Sequence, residues 1–181
     1  AMTACGTKTT ETAAAAEEVT REIGSSDIAY VQVEAVLAQC DLFLNEGKAL
    51  QEKTQKAQKS WAQKEQNLQS EAAQLQEKYQ KGLITTNDAQ AQQQSIEKRV
   101  AAYQSSAQKE AQALDEENYV FTNRAQDLLH RAVQDINADK KYKMIVNSTA
   151  LIDADTTLNI TPAVLAKVNE LYAADQKAEK K

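Results

Sequence analysis

The sequence predicts a mainly helical α+β protein in which a long antiparallel helical hairpin, a coiled-coil arm, is inserted between the strands of a small β body. Three observations predict it. Helix breakers are scarce, with four glycines and one proline in 181 residues. Two long segments, Lys48 to Lys81 and about Asn87 to Ala138, contain neither and carry apolar residues at helical spacing. Short β-branched segments stand on both sides of them.

In chain order, residues 1–26 read as a flexible tether. Thr7 to Glu18 is rich in Thr, Ala and Glu, which offers nothing to bury. Met2-Thr3-Ala4-Cys5-Gly6 has the form of the end of a bacterial lipoprotein signal, a small residue before a cysteine that becomes lipidated. Ile28-Ala29-Tyr30-Val31-Gln32-Val33 follows Gly24-Ser25-Ser26 and reads as a strand. Glu34 to Leu44 turns helical, and Asn45-Glu46-Gly47 is where the chain can loosen before the long helix.

The first long helix carries Leu50, Ala57, Trp61, Leu68, Ala72, Leu75 and Tyr79 on one stripe. Gly82 stops it, and Thr85 can cap the next helix with Asp88 three residues on. The return helix shows Ile96, Val100, Tyr103, Ala107, Ala111, Leu114, Phe121, Ala125, Leu128, Ala132 and Ile136. At 1.5 Å per residue the two would span about 50 Å and about 75 Å. A short loop between two such helices makes them antiparallel, stripe against stripe. The stripes are thin, with alanine and polar residues interrupting them.

Tyr142 to Asn147 then reads as a strand with alternating faces and Thr149 to Asp153 as a second, with Asn147-Ser148 as the turn. Thr161-Pro162 is a helix start, Thr at the cap and Pro at the first helical position; Val164, Leu165, Val168, Leu171 and Tyr172 give that helix one apolar face. Residues 175–181 read as a frayed tail. The organisation expected is a tether over 1–26, a β body from 27–47 and 139–174, and the arm over 48–138. Three short strands and one helix are a meagre core, and pairing with other copies through the strands is the simplest remedy.

The net charge is −5, with an acidic start and an arm that holds ten bases against eight acids over residues 48–115. No clustered basic face of the kind that marks nucleic-acid binding is present. The two cysteines, Cys5 and Cys40, make no disulfide framework and no metal spacing, and no apolar run nears the length of a membrane span. Catalysis finds little to stand on. His130 is the only histidine, and no phosphate loop or nucleophile elbow occurs. Asp153-Ala154-Asp155-Thr156-Thr157 faintly resembles a calcium loop but lacks its glycine and closing glutamate, so a solvated turn is the better reading. No cofactor is expected and no enzyme.

The order of elements resembles the Skp/OmpH family of periplasmic chaperones. The residues that carry the resemblance are the strand Ile28 to Val33, the segment Tyr142 to Ile152, and the helix start Asn159-Ile160-Thr161-Pro162-Ala163-Val164-Leu165. In the family that last element usually reads as an acidic residue, Ile and Thr, then a helix ending near Leu-Asn; here it runs on as Val168-Asn169-Glu170-Leu171. The resemblance covers about residues 28–172. It implies a homotrimer whose strands build a small β body, with helical arms around a cavity that holds unfolded outer-membrane proteins without ATP, in the periplasm of a Gram-negative bacterium. Family arms are often strongly basic, and this one is only slightly so, which weakens any expectation of strong binding to lipopolysaccharide or anionic lipid. A lipid anchor at Cys5 would be a further departure.

Under that reading Trp61, Leu68, Leu75, Tyr79, Ile96 and Tyr103 are the candidate client contacts. Trp61, Tyr79 and Tyr103 either fill the helix–helix seam or offer part of a ring to a client. Tyr30, Val31, Val33, Ile145, Val146 and Leu151 are the candidate oligomer body, Cys40 a small buried residue there, and Cys5 the candidate lipidation site. The alternative function is a structural coiled-coil envelope lipoprotein, a spacer or adaptor, which would need no strands at both ends of its hairpin.

Overall fold

The computed structural model describes residues 27–181, so the tether and the lipidation of Cys5 lie outside the described residues. The order is β1 (Ile28–Val31), α1 (Val33–Gln39), a π-helical turn (Phe43–Gly47), α2 (Lys48–Gln80), α3 (Thr86–Ile136), β2 (Met144–Asn147) and α4 (Thr161–Glu179), with 3-10 turns at Ser148–Ala150 and Thr156–Leu158. The mainly helical α+β class is therefore as the sequence predicts. The described residues fall into two compact units. A terminal unit joins residues 27–40 to 128–181, and a hairpin unit spans Asp41–Asp127, with α3 supplying residues to both.

In the terminal unit β1 and β2 run parallel, Ile28 opposite Met144 and Val31 opposite Asn147. Parallel neighbours need a long crossover, and here everything between Gln32 and Lys143 is that crossover. The other edge of β1 is met by the segment before α4. Ile160 N donates to Tyr30 O at 3.0 Å, and Gln32 N donates to Thr161 Oγ1 at 2.9 Å. The Asn159-Ile160-Thr161 run thus has a mechanical role, satisfying backbone groups that a strand edge would otherwise leave open. Thr161 is consequently not the helix cap. Its hydroxyl is taken by Gln32, and Pro162 sits in the first turn where no N–H is missed.

The core of this unit is Ala29, Val31, Val36, Cys40, Ala132, Val164 and Val168, each 2 % exposed or less, with Tyr30, Leu128 and Tyr172 also buried. Val164, Val168 and Tyr172 repeat every four residues on α4, whose buried stripe packs with α1 and β1. Arg131 on α3 forks onto both carboxylate oxygens of Asp175 at 2.9 and 3.1 Å. α4 continues to Glu179, past Asp175 where fraying was expected. After α3, Asn137 brackets Tyr142, its side chain donating to Tyr142 O and accepting from Tyr142 N.

Expectations for the strands are also corrected. The first strand ends at Val31, and Val33 opens a helix instead: Gln32 O accepts from Val36 N at 3.1 Å as the first helical bond. The second C-terminal strand, Thr149 to Asp153, does not form. Asn147 Oδ1 accepts from Thr149 N and winds Ser148–Ala150 into a 3-10 turn, a local alternative to a hairpin that Asn provides readily. Leu151 then returns to extended backbone, φ −98° and ψ 140°, with no strand beside it among the described residues.

Candidate functional site

The hairpin unit begins with a close approach. The turn Phe43–Gly47 is π-helical, Lys48 N donating to Phe43 O, and Gly47 is buried at its end. A Cβ on Gly47 would lie 2.5 Å from Phe43 Cδ2 and 2.8 Å from Phe121 Cζ. The missing side chain is what lets two phenyl rings close over the backbone. α2 follows without a break, so Asn45-Glu46-Gly47 does not loosen the chain.

At the other end α2 stops in a Schellman motif. Leu83 N donates to Lys78 O and Gly82 N to Tyr79 O, with Gly82 at φ +68°. Asp88 N donates to Thr85 Oγ1 at 3.1 Å, so Thr85 caps α3 as its sequence suggests.

The cross-helix bonds fix one register. Lys53 meets Glu117, Trp61 meets Glu110, Glu71 meets Arg99 and Glu46 meets Arg124. In each pair the two residue numbers add to 170 or 171, the signature of antiparallel helices folded about Thr85. The same sum pairs Leu75 with Ile96 and Ala57 with Leu114, all four buried. The seam therefore alternates small apolar layers with carboxylate crossings. Arg99 forks onto both oxygens of Glu71, and Arg124 onto both of Glu46. The fork from Arg99 holds the Glu71 carboxyl below its ordinary value of 4.5, and Glu71 in turn raises Arg99.

Of the candidate contacts, Leu75 and Ile96 are buried in the seam. Trp61, Leu68 and Tyr103 are half-buried. Trp61 Nε1 donates to Glu110 Oε2 at 2.6 Å, and Tyr103 Oη donates to Trp61 O at 3.1 Å; both rings fill the seam with their polar ends satisfied. Tyr79 alone of the six is exposed, at 50 %. The hairpin exposes other apolar groups that the stripe pattern missed: Leu83 at 68 %, Tyr119 at 69 %, Val120 at 49 % and Leu44 at 43 %. The signal was present for two of them, because Tyr119 and Val120 fall off the stripe of Leu114, Phe121 and Ala125 and so had to face outward.

Grooves run beside these groups. One of about 660 Å³ is lined by Leu50, Val120 and Phe121 with Lys53, Glu117 and Arg124 at its margins. Another, about 1030 Å³, lies near the turn, lined by Ala72, Gln76, Tyr79, Ala89, Gln90 and Gln93. Both are open, and neither brings together a set of groups that would perform a reaction.

In the terminal unit Tyr30 and Val31 are buried by their own chain, Val33 is half-buried on α1, and Ile145, Val146 and Leu151 are half-buried. Met144 and Ile152 are exposed there, at 55 % and 106 %. Cys40 is a buried thiol that donates to Leu37 O. His130 is exposed. Asp155 caps a 3-10 turn by accepting from Thr157 N at 2.8 Å, which lowers its pKa. Among the described residues no cluster of His, Cys, Asp and Glu is placed to hold a metal ion, and no helix is long and apolar enough to cross a membrane.

Comparison with known proteins gives two findings. A family model described as "Outer membrane protein (OmpH-like)" matches residues 27–168. Among solved structures, the chain is similar to the crystal structure of a candidate outer membrane chaperone (OmpH-like) from Caulobacter crescentus, with a TM-score of 0.66 and 16% identity. The match covers 82% of this chain and 86% of that one. No curated protein matches.

Proposed function

This chain belongs to the OmpH-like family of outer membrane proteins, and from that premise we propose that it is an ATP-independent holdase, keeping unfolded outer-membrane proteins from aggregating in the periplasm. The observation that carries the reading is the surface of the hairpin. Tyr79, Tyr119 and Val120 stand exposed along helices that otherwise present glutamine, lysine and glutamate, and Leu83 is exposed at the turn between them. Scattered apolar contacts beside open grooves suit broad, reversible capture of unlike chains. The spacer alternative has no use for the β1–β2 pair that joins the two ends of the crossover.

The proposal includes assembly as a homotrimer through the terminal unit. The far edge of β2 has no strand against it among the described residues, and Met144 in β2 and Ile152, five residues past its end, are exposed. An open edge with apolar neighbours is a template for pairing. Multiple hairpins around one client would add avidity to weak single contacts. A lipid anchor on Cys5 belongs to the same proposal.

The test is direct. Urea-unfolded outer-membrane protein is diluted with and without stoichiometric chain, and scattering is followed. Wild type should suppress aggregation, and Tyr79→Ser/Leu83→Ser/Val120→Ser should lose most of that protection with its urea midpoint unchanged. No protection by wild type removes the holdase reading. A monomer by light scattering at micromolar concentration removes the trimer, and a free Cys5 thiol in the mass spectrum of the native exported protein removes the anchor.

A further inference from the structure

Four polar crossings of the hairpin seam depend on a glutamate, Glu46 to Arg124, Glu117 to Lys53, Glu110 to Trp61, and Glu71 to Arg99, beside the neutral bond from Tyr103 Oη to Trp61 O. Little apolar packing stands behind them. The large apolar side chains buried within Asp41–Asp127 are Leu42, Leu75, Ile96 and Leu114; the other buried apolar positions there are Ala57 and Ala125. Exposed ion pairs are individually weak, but two of these are bidentate Arg–carboxylate forks and all four share one register, the circumstances in which such pairs count.

The hairpin's charge also swings widely. Asp41–Asp127 contains 13 Asp and Glu against 11 Lys and Arg, a net of −2 at neutral pH that becomes +11 when the carboxylates are protonated. The groups facing each crossing are mostly basic. Lys78 and Arg99 share the groove with Glu71; Lys53, Lys56 and Glu52 surround Glu110; and Lys53, Glu116 and Arg124 surround Glu117 and Glu46. Once neutralised, the glutamates leave like charges facing across the seam, and self-repulsion adds to the lost pairs.

We propose that the hairpin is an acid-opened device, in which neutralising Glu71 undoes its fork with Arg99, releases α2 from α3 and bares Trp61, Leu68, Leu75, Ile96 and Tyr103. The sign follows from Glu71. Its carboxyl sits below the ordinary 4.5 when the hairpin is closed, so the stabilisation is complete above that pH and is lost as pH falls through the lower, closed-state value. The device rests on the hairpin alone, whatever the protein binds. Its consequence is that apolar side chains hidden at neutral pH become contact surface in acid.

Trp61 is the only tryptophan in the chain and lies in the seam, so the native protein reports on itself. Acrylamide quenching of Trp61 should rise at least about twofold between pH 7 and about pH 3.5. Glu71→Arg should show raised quenching already at pH 7, and Glu71→Arg/Arg99→Glu should return to wild-type quenching at pH 7 and open again in acid. Hydrogen exchange followed by mass spectrometry should show α2 and α3 losing protection at a higher pH than β1 and α4. Unchanged quenching down to pH 3.5 overturns the proposal, as does a double swap that fails to restore closure. So does simultaneous loss of protection in both units, which would mean global unfolding.

Discussion

Gly47 and Gly82 are glycines for different physical reasons, and their alanine variants separate the two. Gly47 has an ordinary helical φ of −64°, so alanine would gain roughly 1 kcal/mol of helix propensity there. The Phe43 and Phe121 rings leave no room for it. Gly47→Ala should therefore destabilise the hairpin by about 1–3 kcal/mol, the usual cost of overpacking, and Gly47→Ala/Phe121→Leu should recover part of that in urea titrations. Thr161 is a second residue whose role depends on a partner far away in sequence. Thr161→Val removes the acceptor for Gln32 N and should cost about 0.5–1.5 kcal/mol, whereas Thr161→Ser should be close to neutral. A weaker effect of Val than of Ser would refute the assignment.

At the scale of elements, the hairpin is set by its turn. The Schellman stop at Gly82 and the Thr85 cap place the fold-back at one point, and the register of every crossing follows from it. Nothing lies within 4 Å of a Cβ at Gly82, so Gly82→Ala should cost only the left-handed backbone penalty, about 1–2 kcal/mol, read as a lower urea midpoint without a change in oligomer mass. The stripes that face each other were legible because helical spacing is a local property. The ion pairs were not, because each lysine or glutamate has several opposite charges within a turn or two, and only the register chooses among them. The missing C-terminal strand has a similar origin. Thr149 to Asp153 has strand-like residues, but Asn147 offers a closer hydrogen bond to Thr149 N, and no strand among the described residues supplies a ladder.

For the whole molecule, the two units rest on different forces. The terminal unit is held by enclosed Val and Ala side chains around a two-stranded sheet, and the hairpin by thin apolar layers with charged crossings. Screening shortens electrostatic reach to about 3 Å at 1 M salt. Raising salt should thus weaken hydrogen-exchange protection in α2 and α3 more than in β1 and α4; equal loss would show that the crossings contribute little. If copies assemble along β2, Ile152→Lys should lower the mass in light scattering while leaving the far-UV helical signal of α2 and α3 in place. An unchanged mass would move the interface elsewhere.

The sequence by itself determined the mainly helical class, the two long stripes, the fold-back near Gly82 and Thr85, and the apolar face of α4, all set by spacing and local backbone preference. It could not determine which side chains remain outside. Trp61 and Tyr103 could fill the seam or meet a client until the register brings Glu110 and the Trp61 carbonyl to them. Nor could it show that Asn159-Ile160-Thr161 serves as the second neighbour of β1. Those outcomes depend on pairs more than a hundred residues apart, or on one helix choosing its register against another, and only the folded chain makes that choice.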